Sequence, residues 1–179
     1  MKSTLVAALL ISLSVSFAWA QNKPAGVAVP PGCGPINAKF EVKTDKAQHP
    51  VTQAEAGKAV VYFVEDDTQF QSTPKPTTRI GLDGSWVGAN HGNSYFYFTV
   101  DPGEHHLCAS WQSWVGIGTR NNASAAHFTA EAGGVYYFSV KNSWLRESQI
   151  MGMELVPLDS DEGQLLASKF SFSTFHPKE

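Results

Sequence analysis

Apolar and polar positions alternate along most of the chain with the two-residue period of β-strands, and the breaks fall at short turn signals. Ala59–Val64 is a continuous apolar run and predicts a buried strand. Thr77–Leu82 and Ser85–Val87 flank Asp83-Gly84, a dipeptide suited to a type I′ turn with positive φ at both central residues. Tyr95–Val100 consists of β-formers, with Phe96, Phe98 and Val100 on one face and Tyr95, Tyr97 and Thr99 on the other. The turn Asp101–Glu104 leads into a strand over His105–Trp111. Further strands are predicted at Ala125–Ala130, Val135–Val140 and Ile150–Pro157, with a short one at Lys39–Lys43. Glu65–Pro76, with three acids and two prolines, reads as a loop. Only Asp159–Lys169 is helical in pattern, with Asp159 or Ser160 as cap and Asp161 and Glu162 in the first turn. Leu165 and Leu166 would pack on the sheets, and the alternating tail Phe170–Glu179 would add an edge strand. Seven or eight strands, hairpin-connected, predict an all-β antiparallel sandwich of immunoglobulin or transthyretin-like type.

The ends of the chain follow a different pattern. Lys2 and the apolar run Leu5–Trp19, closing on Ala18-Trp19-Ala20, have the form of a secretory signal peptide. The expected division is therefore a signal over 1–20, an N-terminal arm and linker over 21–57, and a sandwich over 58–179 with a helix near 159–169. Export to the periplasm or the medium follows, and with it an oxidising compartment. Cys33 and Cys108 then pair as one disulfide, worth about 4 kcal/mol in the chain-entropy treatment of a loop this long.

Charge narrows the choice of partners. The 179 residues carry a net charge of −3, and losing Lys2 with the signal makes it −4. No basic footprint for nucleic acid is present, and no second apolar run is long enough to span a membrane.

The stretch Pro76–Ser110 carries a series of motifs. Leu82-Asp83-Gly84 forms a hairpin signal, followed by Tyr95-Phe96-Tyr97-Phe98-Thr99-Val100 and Pro102-Gly103-Glu104-His105. Gly57-Lys58-Ala59-Val60-Val61-Tyr62 precedes them; Glu131-Ala132-Gly133-Gly134-Val135-Tyr136-Tyr137 and Asp161-Glu162-Gly163 follow. In this order they resemble the bacterial exported domain of unknown function 2846 family, over about Gly57 to Lys169. The central piece is also similar to cell-envelope modules with a Leu-Asp-Gly hairpin and a Pro-Gly-x-His turn. The resemblance implies a sandwich serving envelope or surface attachment rather than catalysis, and it carries no catalytic residues. Many relatives look like lipoproteins; here no cysteine directly follows the apolar run.

Candidate chemistry is sparse. There is no Gly-x-Ser-x-Gly elbow, and Gly116-Ile117-Gly118-Thr119-Arg120-Asn121 lacks the third glycine of a dinucleotide fingerprint, so neither a catalytic residue nor a cofactor is expected. His105 and His106, as strand neighbours, point to opposite faces, so a metal site would need a distant partner such as His91 or His127 and no metal ligand is expected; the alternative reading is a metal-binding periplasmic protein using surface histidines, with His91, His105 or His106 converging on an acid. Glu65-Asp66-Asp67 lacks calcium-loop spacing and reads as solvated. The remaining binding candidates are Trp111, Trp114 and Trp144, placed to stack on an envelope polysaccharide or to engage another envelope protein, or else to close the ends of the sandwich as core. An unpaired strand edge is a second surface for a partner chain.

Overall fold

A computed structural model describes residues 32–112, 122–145, 147 and 150–178. The strands in chain order are β1 (Phe40–Asp45), β2 (Ala59–Phe70), β3 (Thr77–Leu82), β4 (Ser85–His91), β5 (Ser94–Val100), β6 (Gly103–Trp111), β7 (Ala123–Ala130), β8 (Val135–Leu145), β9 (Ile150–Leu158) and β10 (Ser171–Pro177), with helix α1 (Ser160–Lys169) between the last two. They form a six-stranded sheet, β1-β10-β5-β2-β8-β9, and a four-stranded sheet, β4-β3-β6-β7. Ala59, Val61, Phe63, Phe96 and Phe138 of the first sheet meet Ile80, Leu107 and Ala109 of the second in one apolar layer. The protein is a β-sandwich with ten strands among the described residues, where the hydrophobic pattern predicts seven or eight.

The alternation in β5 works as predicted. Phe96 and Val100 enter the layer between the sheets, and Tyr95 and Tyr97 join Val60, Tyr62, Val64 and Tyr137 on the outer face of the six-stranded sheet. The Asp83-Gly84 turn has φ of 49° and 85°, as a two-residue hairpin of this type requires. Asp159 caps α1 by accepting a hydrogen bond from the Glu162 amide at 2.9 Å. Leu166 packs on the tyrosine face, whereas Leu165 is 51% exposed, because only one side of so short a helix meets the sheet.

Four features depart from the reading of the sequence. β2 does not stop at Val64; it runs through the acids to Phe70, paired in parallel with β8. The sheet is thus mixed, with a second parallel pair between β10 and β5. β1 lies in the six-stranded sheet, antiparallel to β10, so residues 40–45 belong to the sandwich and not to an arm. β10 is interior for the same reason, and β1 takes the edge.

Residues 32–39 lie as a strap over the outer face of the four-stranded sheet. Cys33 is bonded to Cys108 of β6, with 5.0 Å between the Cα atoms. Arg79 donates through Nη1 to the Ile36 and Ala38 carbonyls at 2.8 and 2.7 Å, and through Nη2 to Ser110 Oγ at 3.1 Å. Its guanidinium lies 4.4 Å from the ring centroid of Trp86, whose indole N–H donates to the Pro35 carbonyl at 2.7 Å. Burial lowers the Arg79 pKa. The strap sits so close that a Cβ on Gly34 would stand 2.6 Å from the Trp86 ring. The expected signal over 1–20 and the first part of the arm, 21–31, lie outside the described residues.

Candidate functional site

Of the three candidate tryptophans, Trp111 and Trp144 lie among the described residues. Trp111 is 1% exposed and donates its indole N–H to Asn142 Oδ1 at 2.8 Å, so it offers no ring face to a ligand. Trp144 is half-buried, and both rings pack on Phe70, at centroid distances of 6.1 and 5.9 Å. Trp114 lies outside the described residues. The apolar bulk that suggested stacking instead closes one end of the sandwich, with Met151 and Met153.

His105 is structural. Its Nδ1 lies 2.7 Å from Asp83 Oδ2 and its Nε2 2.8 Å from the Asp101 carbonyl. Both partners are acceptors, so this geometry favours the protonated ring, in which both nitrogens donate. Burial pulls its pKa down, but the Asp101 carbonyl and the Asp83 carboxylate outweigh this and raise it. Asp83 also accepts from the His106 amide at 2.8 Å; burial raises its pKa, and the bonds from His106 and His105 more than reverse that. The Leu-Asp-Gly and Pro-Gly-x-His motifs are two halves of this one lock. A similar meeting joins the later motifs: Gly163 of α1 approaches the Tyr137 ring with no room for a Cβ. His91 Nδ1 contacts Thr77 Oγ1 at 3.0 Å on the surface. Among the described residues no three His, Cys, Asp or Glu side chains are gathered to hold a metal.

The acids of β2 are not solvated as the charge run suggests. Glu65 and Asp67 are 0% and 1% exposed. Glu65 Oε1 accepts from Thr78 Oγ1 at 2.8 Å and from Asn142 Nδ2 at 2.9 Å, and the same amide reaches Asp67 Oδ1 at 2.7 Å. Glu65 Oε2 and Asp67 Oδ2 find no partner among the described residues. Burial, and then the charge of Asp67, holds the Glu65 pKa well above the usual carboxylate range. Burial likewise pushes Asp67 up to about 6, against the pull of the Asn142 hydrogen bond and the Lys75 ammonium. The signal for this network lay in the chain: the buried face of β2 continues in period through Glu65 and Asp67 and, past the irregularity between Asp66 and Gln69, resumes at Phe70, but three consecutive acids mask it.

An opening lies on the outer face of the six-stranded sheet. It is a groove of about 430 Å³ between α1, the segment 49–52 and the tyrosines of β2, β5 and β8. Tyr62 Oη accepts from the Thr52 amide at 3.0 Å, and the Tyr95 hydroxyl donates to the Pro50 carbonyl at 3.3 Å. The His49 ring stacks on Tyr95 at 6.5 Å, with its nitrogens 3.2 Å from the Ala167 carbonyl and 3.1 Å from that of Lys46. Segment 49–52 is thereby pinned between sheet and helix. Burial and the neighbouring tyrosines push the Tyr95 pKa up to about 12 and raise that of Tyr137. Thr52, Tyr137, Gln164 and Ser168 bring polar residues to the groove, and among the described residues no Lys, Arg, Asp or Glu lines it. The alternation of β5 pointed to an apolar outer face; the covering segment 49–52, polar and irregular in sequence, gave no sign that it would make a groove there.

Among curated proteins none matches the chain. A family model for proteins of unknown function matches residues 55–152, from just before β2 to the start of β9 and so across both sheets. With more than half its length matched and the motif pairs meeting in space, the chain belongs to the family of proteins of unknown function DUF2846.

Proposed function

We propose that this protein is an exported, non-enzymatic binding module of the cell envelope or extracellular space, and that it holds an uncharged sugar unit of an envelope polysaccharide in the tyrosine-lined groove. The observation that carries the reading is the groove itself. Its volume of about 430 Å³ lies in the range of small-ligand sites; its floor is the almost buried Tyr62, Tyr95 and Tyr137, its rim carries the His49 ring with amide and hydroxyl groups, and among the described residues no carboxylate or amine side chain lines it. That chemistry suits a neutral polyol better than a nucleotide or an acidic peptide. The Cys33–Cys108 bond supports an oxidising destination. The burial of Glu65 and Asp67 supports a non-catalytic role, since a reactant reaches them only by opening the sandwich.

Co-sedimentation with purified cell-wall and outer-membrane fractions tests the reading. Tyr137→Phe removes one hydroxyl and keeps the ring, and Gln164→Leu removes the amide on exposed helix surface. Binding by the wild type that both variants weaken about tenfold supports the groove, the loss expected for one well-placed polar contact. Equal binding by all three proteins, or none by the wild type, overturns it.

A further inference from the structure

Each sheet of the sandwich ends in two edge strands, β1 and β9 on one and β4 and β7 on the other. An unpaired edge is a template for another strand, and natural edges carry charge, proline or a break in register against it. β1 carries Glu41, Lys43 and Asp45. β9 carries Glu154 and Pro157, and its Leu155 amide donates to Ser124 Oγ at 3.1 Å. β4 has an irregular register with β3 between Ile80 and Gly81, and it packs against β1 and β10. β7 has none of these devices. Its residues, Ala123–Ala130, keep a regular antiparallel register with β6 and include no Asp, Glu, Lys, Arg, Pro or Gly. The Trp111 amide donates to the Asn122 carbonyl at 3.2 Å, which sets the alternation of that ladder. Ser124, Ala126, Phe128 and Ala130 therefore bond to β6, whereas Ala123, Ala125, His127 and Thr129 turn their N–H and C=O groups outward. Among the described residues these outward groups have no partner, and the four side chains are exposed.

We propose that the β7 edge is the seam of a homodimer, in which β7 of a second copy pairs with it antiparallel about a two-fold axis at Ala126. The strand is complementary to itself in that register. Ala123 of one copy pairs with Thr129 of the other, Ser124 with Phe128, Ala125 with His127, and Ala126 with its own counterpart. A small side chain thus meets each larger one, and no carboxylate, amine or guanidinium is opposed. The outward residues all fall into hydrogen-bonded pairs, so every free N–H and C=O of the edge is satisfied at once. Sliding by two residues strands the outward groups at one end, and in one direction sets His127 against itself. A cleft of about 220 Å³ beside the edge, lined among others by Phe128, Tyr136, Pro157 and Leu158, adds apolar surface to the seam. One strand from each copy makes a contact smaller than a standard interface, so the association is a reversible one in the micromolar range. The seam does not depend on the tyrosine groove, which lies on the other sheet.

Sedimentation equilibrium of the purified protein over a range of concentrations tests the proposal. Ala125→Pro removes an outward N–H that β6 does not use, at an edge position where proline is tolerated. Ala125→Lys is the second variant; it keeps the N–H and sets a charge opposite His127, so the test survives if the proline variant does not fold. Leu165→Lys, on the exposed side of α1, is the control. Wild type and Leu165→Lys should dimerise in the micromolar range, and each folded Ala125 variant should do so at least about tenfold more weakly. Ala126→Cys should cross-link to its counterpart on mild oxidation, because residues of a non-hydrogen-bonded pair stand about 4.5 Å apart at Cα, within disulfide reach. Ala123→Cys should not, because Ala123 faces Thr129 in this register; the native cysteines are already bonded to each other. A wild type that stays monomeric at about 1 mM overturns the proposal. So does a dimer that the Ala125 variants leave unchanged, or one that Ala126→Cys does not lock. Thermal unfolding of each variant separates loss of the seam from loss of the fold.

Discussion

Replacing Asp67 by Asn should change how stability depends on pH more than it changes stability at acid pH. The native pKa of Asp67 is pushed from 3.8 to about 6, first by burial. A carboxyl whose native pKa is raised binds its proton more tightly when folded. Its contribution is therefore fully present below about pH 4 and is lost as pH rises to about 6. The loss is about 2.2 pKa units at 1.36 kcal/mol each, or about 3 kcal/mol. Asparagine keeps the Oδ1 acceptor for Asn142 and carries no titrating proton. Urea unfolding at pH 4 and pH 7, followed by tryptophan fluorescence, measures the difference. From pH 4 to 7 the wild type should lose at least about 2 kcal/mol more than Asp67→Asn, and removing the Asp67 charge adds to the difference, because it also lessens the rise in the Glu65 pKa. Parallel pH profiles for the two proteins would refute the reasoning: Asp67 would then be ionised in the native state at little cost, with water or a counter-ion reaching its Oδ2.

Three further outcomes follow from the packing. The imidazolium of His105 has a raised pKa, so its contribution is present below the ordinary histidine pKa and is lost as pH rises through the raised native value; His105→Gln should flatten the fall in melting temperature over that window, read by thermal scans in matched buffers. Trp111→Phe leaves Asn142 Oδ1 buried without its donor and should cost about 1–3 kcal/mol in denaturant titration, with the near-ultraviolet spectrum showing whether Phe70 has repacked. Replacing both Cys33 and Cys108 by Ser should lower stability by about 4 kcal/mol, and reduction of the wild type should reproduce the loss.

How much of this could be read from the chain depends on the range of the interaction. The Asp83-Gly84 turn, the two faces of β5 and the cap of α1 are local, and period and turn chemistry state them directly. The Cys33–Cys108 bond was legible from compartment and count, although 75 residues separate the two. The acids of β2 were not legible. Three carboxylates in succession look solvated unless Thr78 and Asn142, 13 and 77 positions from Glu65, are known to face it. Trp111 was misdirected in the same way, because its partner Asn142 arrives on a strand 31 residues later. The tyrosine groove escaped notice because its roof is an irregular segment held by bonds between tyrosine hydroxyls and backbone groups, which leave no periodic trace.

The bond from Cys33 to β6 also determines where a mechanical load would go. A pull on the chain ahead of Cys33 passes through the sulfur bridge into β6, a strand held on both sides by β3 and β7. β1, a six-residue edge strand, lies inside the covalent loop closed at Cys108 and carries none of that tension. With the bridge reduced, the same pull would run along the strap to Phe40, where β1 meets Pro177 of β10, and would peel that ladder open one pair at a time. In the oxidised protein this edge strand is thus shielded from force applied at its own end of the chain, and loading should rupture the reduced form at a far lower tension.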